Sequence, residues 1–327
     1  MTNSVRWGLL STASINDPVL EGCAGSGLVA FAAVASRSEQ KARAWAAERG
    51  IPRAHGSYEA LLADPEIDAI YLPLPNALHV EWTLRALEAG KHVLCEKPFS
   101  DDPAAVGAAF DVAEREGLVL AEAFMWRFHP QTARIRELLV GGAIGELRVV
   151  RAALSFPLED VAHDVRTLAE LDGGSLMDVG CYCVSGFRMY AGEPQQASGH
   201  ATRASSGVDM RFAGTLFGAD GVVGQFDCGM DLPRRDHLEL VGSAGTIVVP
   251  DPWHCRGEPF ELRVGERRET IAVDPIDAYR AELEAVSRAI RGGEPVAWGR
   301  EDAVAQARSL EALRRSAEQD GALVPLG

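Results

Sequence analysis

The feature that most constrains the fold is a regular alternation of strand-like and helix-like segments in the first third of the chain. Short apolar runs, such as residues 5–10 and 29–34, are each followed by a helical stretch that begins with small or capping residues. Strands and helices that alternate with short connections are typical of a doubly wound parallel sheet. We therefore predict an α/β domain over residues 1–123.

The pattern changes after residue 123. Strand candidates follow one another closely between residues 211 and 273, framed by predicted helices at 175–189, 276–291 and 301–319. This order predicts an α+β domain over residues 124–327, built on a large, mostly antiparallel open sheet. The strand at 222–228 has more apolar positions than a solvated face requires, so we expect this sheet to be covered in a homodimer or homotetramer.

Residues 90–98 combine a turn, a short apolar run and an abrupt polar stop. Residues 93–95 are apolar and few enough for a buried parallel strand, and Glu96 and Lys97 follow where that strand should end. Ligands bind at the carboxyl ends of strands in open α/β sheets, and Pro98 cannot continue a sheet ladder. Lys97 is therefore a candidate for chemistry, although its spacing also fits a surface lysine in a βα loop.

The turn after the first strand stands where a dinucleotide fingerprint would, in a degraded form. Its first glycine is kept, a serine replaces the second, and the third position holds a permitted alanine. Backbone N–H groups at the start of the next helix can bind a pyrophosphate. Its position in a βαβ unit favours this role over an ordinary βα turn. The candidate cofactor-binding residues here are Gly8, Ser11, Thr12, Ala13, Ser14 and Ile15.

The end of the second strand carries Ser36, Arg37 and Ser38, with no acidic residue before Glu39. A site that prefers NAD usually has an Asp or Glu there, which accepts a hydrogen bond from the ribose. A guanidinium flanked by hydroxyl groups suits a 2′-phosphate instead. We therefore predict NADP as the cofactor, with NAD as the alternative; an exposed loop arginine has the same spacing.

Residues 173–182 form a second constellation. If the chain is helical from Ser175, Asp178 and Tyr182 are four residues apart and share one face. A carboxylate beside a phenol can do acid–base chemistry if a cation lowers the phenol's pKa, and Lys97 could be that cation. A helix that packs a tyrosine into a domain interface fits the same spacing.

Composition excludes several partners and sites. Lys and Arg number 32 against 47 Asp and Glu, and the net charge of -15 argues against nucleic acids and anionic membranes. The six cysteines form no C-x-x-C pair, and Cys181-x-Cys183 without a neighbouring histidine is a poor zinc site. We predict no metal site, reduced thiols, no signal peptide or membrane span, and a cytoplasmic location.

Five segments of the chain carry a resemblance to a known family. They are the first turn, residues 72–79 (LPLPNALH), Glu96-Lys97-Pro98, residues 122–130 (EAFMWRFHP) and residues 173–182 (GGSLMDVGCY). In order and spacing they resemble the glucose–fructose oxidoreductase / inositol dehydrogenase (Gfo/Idh/MocA) family over nearly the whole chain, with an N-terminal Rossmann domain. Tyr182, where many members have histidine, resembles the branch of dihydrodiol dehydrogenases and NADP-linked aldose dehydrogenases.

The resemblance implies roles for individual residues. Lys97 would contact the reacting oxygen, Tyr182 would pass its proton, and Asp178 would orient the substrate or the lysine. Glu96 would bind the nicotinamide ribose, and the Lys97–Pro98 peptide would be cis. Further implied positions are Leu72, Pro73, Asn76 and His79 along the cofactor, Trp126 and Arg127 at its nicotinamide end, and Arg166 and Tyr279 in the substrate pocket.

The resemblance thus implies an oxidoreductase that moves a hydride between NADP and a hydroxyl or carbonyl group of a sugar, polyol or related diol. A tyrosine with an ordinary pKa near 10 needs a nearby ammonium to act as a base at neutral pH. The alternative is a non-catalytic dinucleotide-binding regulator of the same fold. The intact set of Lys97, Asp178 and Tyr182 favours the enzyme.

Overall fold

The computed structural model describes residues 4–161 and 163–326. Its strands are β1 Val5–Leu9, β2 Val29–Ala35, β3 Arg53–His55, β4 Ala69–Leu72, β5 His92–Glu96, β6 Leu120–Ala123, β7 Leu147–Pro157, β8 Gln196–Arg203, β9 Asp209–Phe217, β10 Val223–Gly229, β11 Asp231–Gly242, β12 Thr246–Val249, β13 Phe260–Val264, β14 Arg267–Ile271 and β15 Val324–Pro325. Its α-helices are α1 Asn16–Gly22, α2 Glu39–Arg49, α3 Tyr58–Leu62, α4 His79–Glu88, α5 Pro103–Glu116, α6 Pro130–Val140, α7 Cys181–Ala191, α8 Ala278–Ile290 and α9 Arg300–Glu318.

The contacts divide the chain into two compact units. One consists of the chain up to Phe124 together with Asp277–Val304, and the other of Met125–Ile276 together with the chain from Ala305. Helix α8 therefore belongs to the first unit, although it follows the second unit's sheet in sequence. The predicted division into domains 1–123 and 124–327 stays a prediction.

The first unit is built on a six-stranded sheet in the order β3-β2-β1-β4-β5-β6. Every neighbouring pair in it is parallel. The carboxyl ends of all six strands therefore lie along one edge, and the order reverses at β1, which lies between β2 and β4. The predicted doubly wound parallel sheet is confirmed.

The core of the first unit lies against this sheet and includes α8. Trp7 and Leu9 of β1 are fully buried, and Leu283 and Val286 of α8 pack in the same cluster. The Trp7 indole Nε1 donates a 3.1 Å hydrogen bond to Ser287 Oγ, so the polar edge of the ring has a partner. Burying each large side chain of this kind contributes about 1.5–3 kcal/mol.

The second unit is built on a nine-stranded sheet in the order β14-β13-β12-β11-β7-β10-β9-β8-β15. Its neighbouring pairs are antiparallel apart from β7 and β10, which are parallel. The predicted mostly antiparallel open sheet is therefore confirmed.

Helix α7 covers one face of this sheet. A Cβ on Gly224 of β10 would lie 2.2 Å from the Phe187 ring of α7, so only glycine fits at this contact. Strand residues alternate between faces, and the buried Phe226 and Cys228 share the face of Gly224. The apolar residues that suggested a covered outer face thus pack on the helix side, and the opposite side of β10 carries Gln225 and Asp227.

Several elements differ from those expected, among them β8 and the start of the helix that contains α7. Strand β8 was not predicted, because its sequence QASGHATR has no apolar alternation; its pairing with β9 and the burial of Ala197 hold it in the sheet. The helix expected at 175–189 begins with a π-helical turn, Leu176–Gly180, which α7 then continues. Among the described residues, no helix combines the length with the hydrophobicity that crossing a membrane requires.

Candidate active site

The predicted cofactor-binding residues of the first unit meet at the carboxyl edge of its sheet. Ser11 follows β1, Ser36 follows β2, Pro73 follows β4, and Glu96 ends β5. Because these four strands are adjacent and parallel, residues far apart in sequence line one edge. Edges of this kind, at the point where strand order reverses, are where open α/β sheets bind ligands.

The core residues packed around Gly8 leave little room for a side chain there. A Cβ there would lie 3.1 Å from Leu61 Cδ1, 3.2 Å from Ile67 Cγ2 and 3.2 Å from Ile70 Cδ1. The first residue of the degraded fingerprint therefore allows close packing of β1 against its neighbours. Its part in cofactor binding stays a prediction.

The turn after β1 is held by its own serine. Ser11 Oγ donates to the carbonyl of Pro73 at 3.2 Å and accepts from the N–H of Ala13 at 3.2 Å. The Ser11 carbonyl accepts from Asn16 Nδ2 at 2.8 Å. A glycine at position 11 could make neither side-chain bond, so the serine fixes a turn that the usual fingerprint leaves to glycine.

The same turn keeps backbone donors available. The N–H groups of Thr12, Ser14 and Ile15 donate no hydrogen bond to another described residue. Unpaired N–H groups at the end of a first βα turn are the groups that bind a dinucleotide's pyrophosphate. The side chains of this turn are small, so a phosphate can approach the backbone.

Arg37 stands exposed at the end of β2, between two serines with structural bonds. Ser38 Oγ accepts from the N–H of Lys41 and caps α2, and Ser36 Oγ accepts from the N–H of Ser38. The Arg37 guanidinium forms no ion pair within the described residues, whereas the nearest acid, Glu39, pairs with Arg43 at 2.5 Å. Arg37 is therefore an available cation at the position that distinguishes NADP from NAD.

Tyr71 fixes the carboxylate of Glu96. The Tyr71 hydroxyl donates to Glu96 Oε1 at 2.5 Å, and Glu96 Oε2 accepts from the N–H of Lys97 at 3.2 Å. Burial, and then the charge of Glu96, raise the pKa of Tyr71 well above its usual value, so the phenol stays a donor. Glu96 and Lys97 are both half-buried, and the Lys97–Pro98 peptide is cis, as the resemblance implied.

Two buried side chains, Glu122 and His79, hydrogen-bond to the backbone of the segment that follows Lys97. Glu122 Oε1 accepts from the N–H of Phe99 at 2.8 Å. The ring of His79, which is 1 % exposed, lies 2.8 Å through Nδ1 from the carbonyl of Pro98 and 2.7 Å through Nε2 from the carbonyl of Leu74. His79 therefore links the segments after β4 and β5, and a contact of its own with cofactor stays a prediction.

The remaining predicted residues of the first unit differ in exposure. Leu72 is fully buried, Pro73 is buried, and Asn76 is half-buried. Tyr279 is half-buried at the start of α8 and packs against the first unit's core. Its assignment to the substrate pocket stays a prediction.

In the second unit, Gly173 and Gly174 allow the helical segment to begin under a close loop. A Cβ on Gly173 would lie 2.3 Å from the carbonyl oxygen of Arg166, and Gly174 has φ +117°. Asp209 Oδ2 then accepts from Ser175 Oγ at 2.6 Å and from the N–H of Leu176 at 2.7 Å. Burial raises the pKa of Asp209, and these two bonds oppose the rise.

Asp178 lies in the π-helical turn that follows, a kind of distortion that is frequent at functional sites. Its Oδ2 accepts from Arg166 Nε at 2.9 Å, and Arg166 also pairs with Asp164 at 3.2 Å. The charge of Asp178 and then that of Asp164 raise the pKa of Arg166, against desolvation. Two predicted site residues, Asp178 and Arg166, are thus joined directly.

Tyr182 is 8 % exposed, and its neighbours include a methionine sulfur and a tryptophan ring. Its hydroxyl donates to Met125 Sδ at 3.6 Å, and its ring centroid lies 6.1 Å from that of Trp253. Trp253 also packs edge-on against Trp126, with centroids 5.3 Å apart. Trp126 is fully buried, and its neighbour Arg127 donates from Nε to Ser185 Oγ at 2.9 Å.

Three residues that hold or contact the predicted site residues were not predicted from the sequence: Tyr71, Asp209 and Trp253. Tyr71 lies inside a buried strand, where its hydroxyl needs a partner, but a local sequence pattern does not show which residue that partner is. Asp209 and Trp253 carried no signal, because their partners Ser175 and Tyr182 lie far away in sequence.

Comparisons with known proteins agree with this arrangement. Residues 15–124 match a family model described as "Oxidoreductase family, NAD-binding Rossmann fold", and residues 132–248 match the model of the GFO/IDH/MocA C-terminal domain. The chain belongs to the Gfo/Idh/MocA family. The resemblance stated from the sequence is confirmed, and so is the oxidoreductase class.

Three members of the Gfo/Idh/MocA family illustrate the similarity. D-xylose 1-dehydrogenase (NADP(+)) 2 of Haloferax volcanii is 39% identical and aligns over 98% of this chain and 99% of its own. Trans-1,2-dihydrobenzene-1,2-diol dehydrogenase of Mus musculus is 36% identical over 81% of this chain and 80% of its own. A 3-ketoreductase from Actinomadura kijaniata, crystallised with NADP and TDP-benzene, superposes with TM-score 0.89 at 29% identity, covering 96% of this chain and 98% of its own.

Proposed function

We propose that this protein is an NADP-dependent oxidoreductase that moves a hydride between the cofactor and a hydroxyl or carbonyl carbon of a sugar, polyol or related diol. The observation that carries this proposal is the carboxyl edge of the parallel sheet, which aligns the turn after β1, Arg37 and the Glu96–Lys97 pair. The relatives whose names include NADP, D-xylose or a dihydrodiol support the same reaction class.

NADP fits the groups that the first unit offers. The turn after β1 supplies the unpaired N–H groups of Thr12, Ser14 and Ile15 for a pyrophosphate. Arg37 supplies an exposed cation for the 2′-phosphate, and no carboxylate at the end of β2 competes for the ribose, since Glu39 is paired with Arg43. Glu96, held by Tyr71, is an acceptor placed at the end of β5 for the nicotinamide ribose.

When bound, the cofactor accepts or donates the hydride at its nicotinamide ring. As its phenolate, Tyr182 would take the hydroxyl proton of the alcohol, and as the phenol it would return a proton in the reverse direction. Lys97 would supply an ammonium that stabilises negative charge developing on the reacting oxygen. Asp178, whose charge is balanced by Arg166, accepts hydrogen bonds from substrate hydroxyls.

The test begins with fluorescence titrations of the purified protein with NADPH and NADH. Turnover is then measured with the tighter cofactor on D-xylose, other aldoses, ketoses and vicinal diols. We expect tight NADPH binding and turnover of at least one sugar or diol. Binding of NADPH without turnover on any of these would favour the non-catalytic regulator, and binding of neither cofactor would remove the basis of the proposal.

The catalytic roles are tested by Lys97→Ala and Tyr182→Phe. General acid–base catalysis contributes roughly 10² to 10⁴ in rate, so each change should lower kcat by about that factor and leave the Kd for NADPH within about twofold. Tyr190→Phe is the matched control, because Tyr190 lies on the same helix α7 and touches Trp126, with centroids 6.2 Å apart. Full activity of both variants would contradict the assignment.

We also propose a homo-oligomer formed through the face of the nine-stranded sheet opposite α7. That face carries a groove of ≈ 680 Å³ lined by residues of β7, β10 and β11, with Arg151 paired to Glu239 and Arg235 paired to Asp227. A two-fold axis across this face would set arginines against carboxylates of the second copy. Sedimentation should show a dimer or tetramer that Arg151→Glu weakens, and a wild-type monomer at micromolar concentration would contradict it.

A cytoplasmic location completes the proposal. All six cysteines are free thiols and buried, as expected of a protein in a reducing compartment.

A further inference from the structure

Three side chains of the second unit that can bind a metal ion lie close together. Asp236 lies in β11, and Asp251 and His254 lie in the segment after β12. One ligand atom from each of the three lies within 4.8 Å of the others. His254 Nδ1 is 2.5 Å from Asp236 Oδ2 and 3.9 Å from Asp251 Oδ1.

Two carboxylate oxygens of this cluster are buried without a partner. Asp251 is 5 % exposed, and its Oδ1 accepts no hydrogen bond from the described residues; the same holds for Asp236 Oδ1. The other oxygen of Asp251 is used, since Oδ2 accepts from the N–H of Arg256. A buried polar atom left unpaired costs about 1–3 kcal/mol, and more when it belongs to a charged group.

The described residues supply too little positive charge to balance this cluster. No Lys or Arg among them forms an ion pair with Asp236 or Asp251. His254 can carry at most one positive charge, against two carboxylates. A divalent cation would balance the charge of both carboxylates, and Asp251 Oδ1, which has no hydrogen-bond partner among the described residues, could bind it.

We propose that Asp236, Asp251 and His254 form a binding site for a divalent transition-metal ion, with Zn²⁺ as the best match. One imidazole nitrogen with two carboxylate oxygens is a donor set that suits Zn²⁺, whereas Mg²⁺ and Ca²⁺ take oxygen ligands almost exclusively. Three protein ligands leave a fourth position for water, and the His254 side chain, 29% exposed, opens the site to solvent.

Metal binding replaces a hydrogen bond by coordination. The proton between His254 Nδ1 and Asp236 Oδ2 must leave Nδ1, so that the lone pair of the nitrogen can bind the ion, and the imidazole keeps its proton on Nε2. Bonds to zinc are about 2.0–2.2 Å long, so tetrahedral ligands lie roughly 3.4 Å apart. The 2.5 Å separation of Nδ1 and Oδ2 therefore opens by about 1 Å when the ion enters.

The three proposed ligands are not among the residues assigned to the chemistry proposed above. The ion would tie β11 to the segment after β12, and so fix Trp253, which is fully buried and donates from Nε1 to the carbonyl of Ala153 at 3.2 Å. Gln131 Nε2 already supports this segment through the carbonyl of Asp251 at 3.0 Å. The sequence did not indicate the site, because the three ligands match no metal motif and Asp236 comes from another strand.

The experiment uses the untagged, full-length protein, stripped with a chelator and dialysed against metal-free buffer. We expect one equivalent of Zn²⁺ per chain by equilibrium dialysis and a higher Tm with Zn²⁺ than without. Loss of an outer-shell partner alone weakens metal sites 10–100-fold, so Asp251→Asn and His254→Gln should each weaken binding by more than about 100-fold. NADPH affinity should stay unchanged, which separates this test from that of the proposed function.

The matched control is Asp160→Asn. Asp160 and His163 form an exposed pair, with Nδ1 3.0 Å from both carboxylate oxygens, and they belong to no cluster of three possible metal ligands among the described residues, so this change should leave Zn²⁺ binding intact. X-ray absorption of the zinc-loaded wild type needs no variant, and should show one imidazole among oxygen ligands. A sulfur ligand, no Zn²⁺ uptake, or equal uptake by wild type and both ligand variants would overturn the proposal.

Discussion

Replacing Arg37 by alanine should convert an NADP-selective site into one that barely distinguishes the two cofactors. The guanidinium is exposed at the end of β2 and forms no ion pair within the described residues, so its removal breaks no internal contact of that kind. Its positive charge opposes the rise in the pKa of Tyr58 that burial causes, which places the two side chains near each other. The variant should therefore fold normally.

The expected loss follows from the exposure of the site. A hydrogen bond to a charged partner contributes about 1.5–3 kcal/mol, and solvent screening at an exposed site favours the lower half of that range. Since about 1.4 kcal/mol corresponds to a tenfold change, the Kd for NADPH should rise roughly 10- to 40-fold in Arg37→Ala. The Kd for NADH should stay within about twofold, because NADH has no 2′-phosphate for the arginine to bind.

The assay is a fluorescence titration of wild type and variant with both cofactors, repeated at low and high salt. Salt should weaken NADPH binding by wild type more than by the variant, because the charge pair that salt screens is missing from the variant. Arg115→Ala is the control, since Arg115 is an exposed arginine of α5 that is paired with Glu116, an acid with no assigned part in cofactor binding. Equal losses for NADPH and NADH, or no loss for either, would refute the assignment of Arg37 to the 2′-phosphate.

Three further substitutions test how the site is held. Tyr71→Phe removes the donor to Glu96 Oε1, and because Glu96 is half-buried and water can replace part of the bond, we expect about 1.5 kcal/mol less stability in urea unfolding and a raised KM for cofactor. Gly8→Ala places a Cβ 3.1–3.2 Å from three core side chains, and should cost about 1–3 kcal/mol in the same assay. Asp209→Ala leaves the Ser175 hydroxyl and the N–H of Leu176 without their acceptor, so we expect a loss of about 1–3 kcal/mol, whereas unchanged stability would show that water replaces the carboxylate.

Local signals in the sequence were enough to predict the alternating elements. Helix α5 has Asp102 at its N-cap, Pro103 at its first position and Gly117 with φ +65° after its end, and each of these residue types marks a helix end in the sequence alone. The same signals fail for β8, whose polar sequence is a strand because β9 pairs with it. A strand of that kind is fixed by its neighbours, and neighbours are not visible in a local pattern.

The residues of the candidate site fall into the same two groups: those that a local pattern predicts and those that depend on distant neighbours. Residues that follow the end of a strand, such as Arg37 and Lys97, were predicted because the parallel sheet places every strand end at one edge. Residues that act by holding another side chain were not predicted. Tyr71 bonds a carboxylate 25 residues away, and Asp209 caps a segment that starts 34 residues before it. Neither separation follows from a helical or strand period.

The hydrogen-bond partners of Glu96 and Asp178 also explain why these two predicted site residues depend on this fold. A carboxylate at the end of a strand could rotate freely in a surface loop, but Glu96 accepts from a phenol that burial keeps protonated and from the backbone N–H of Lys97. Asp178 is held in the same way by Arg166, whose loop approaches because Gly173 has no side chain. In each case a buried or closely packed neighbour limits a charged group to one orientation before any ligand arrives. Such pre-organisation is what hydride transfer requires, because the cofactor supplies the reaction and the protein supplies position.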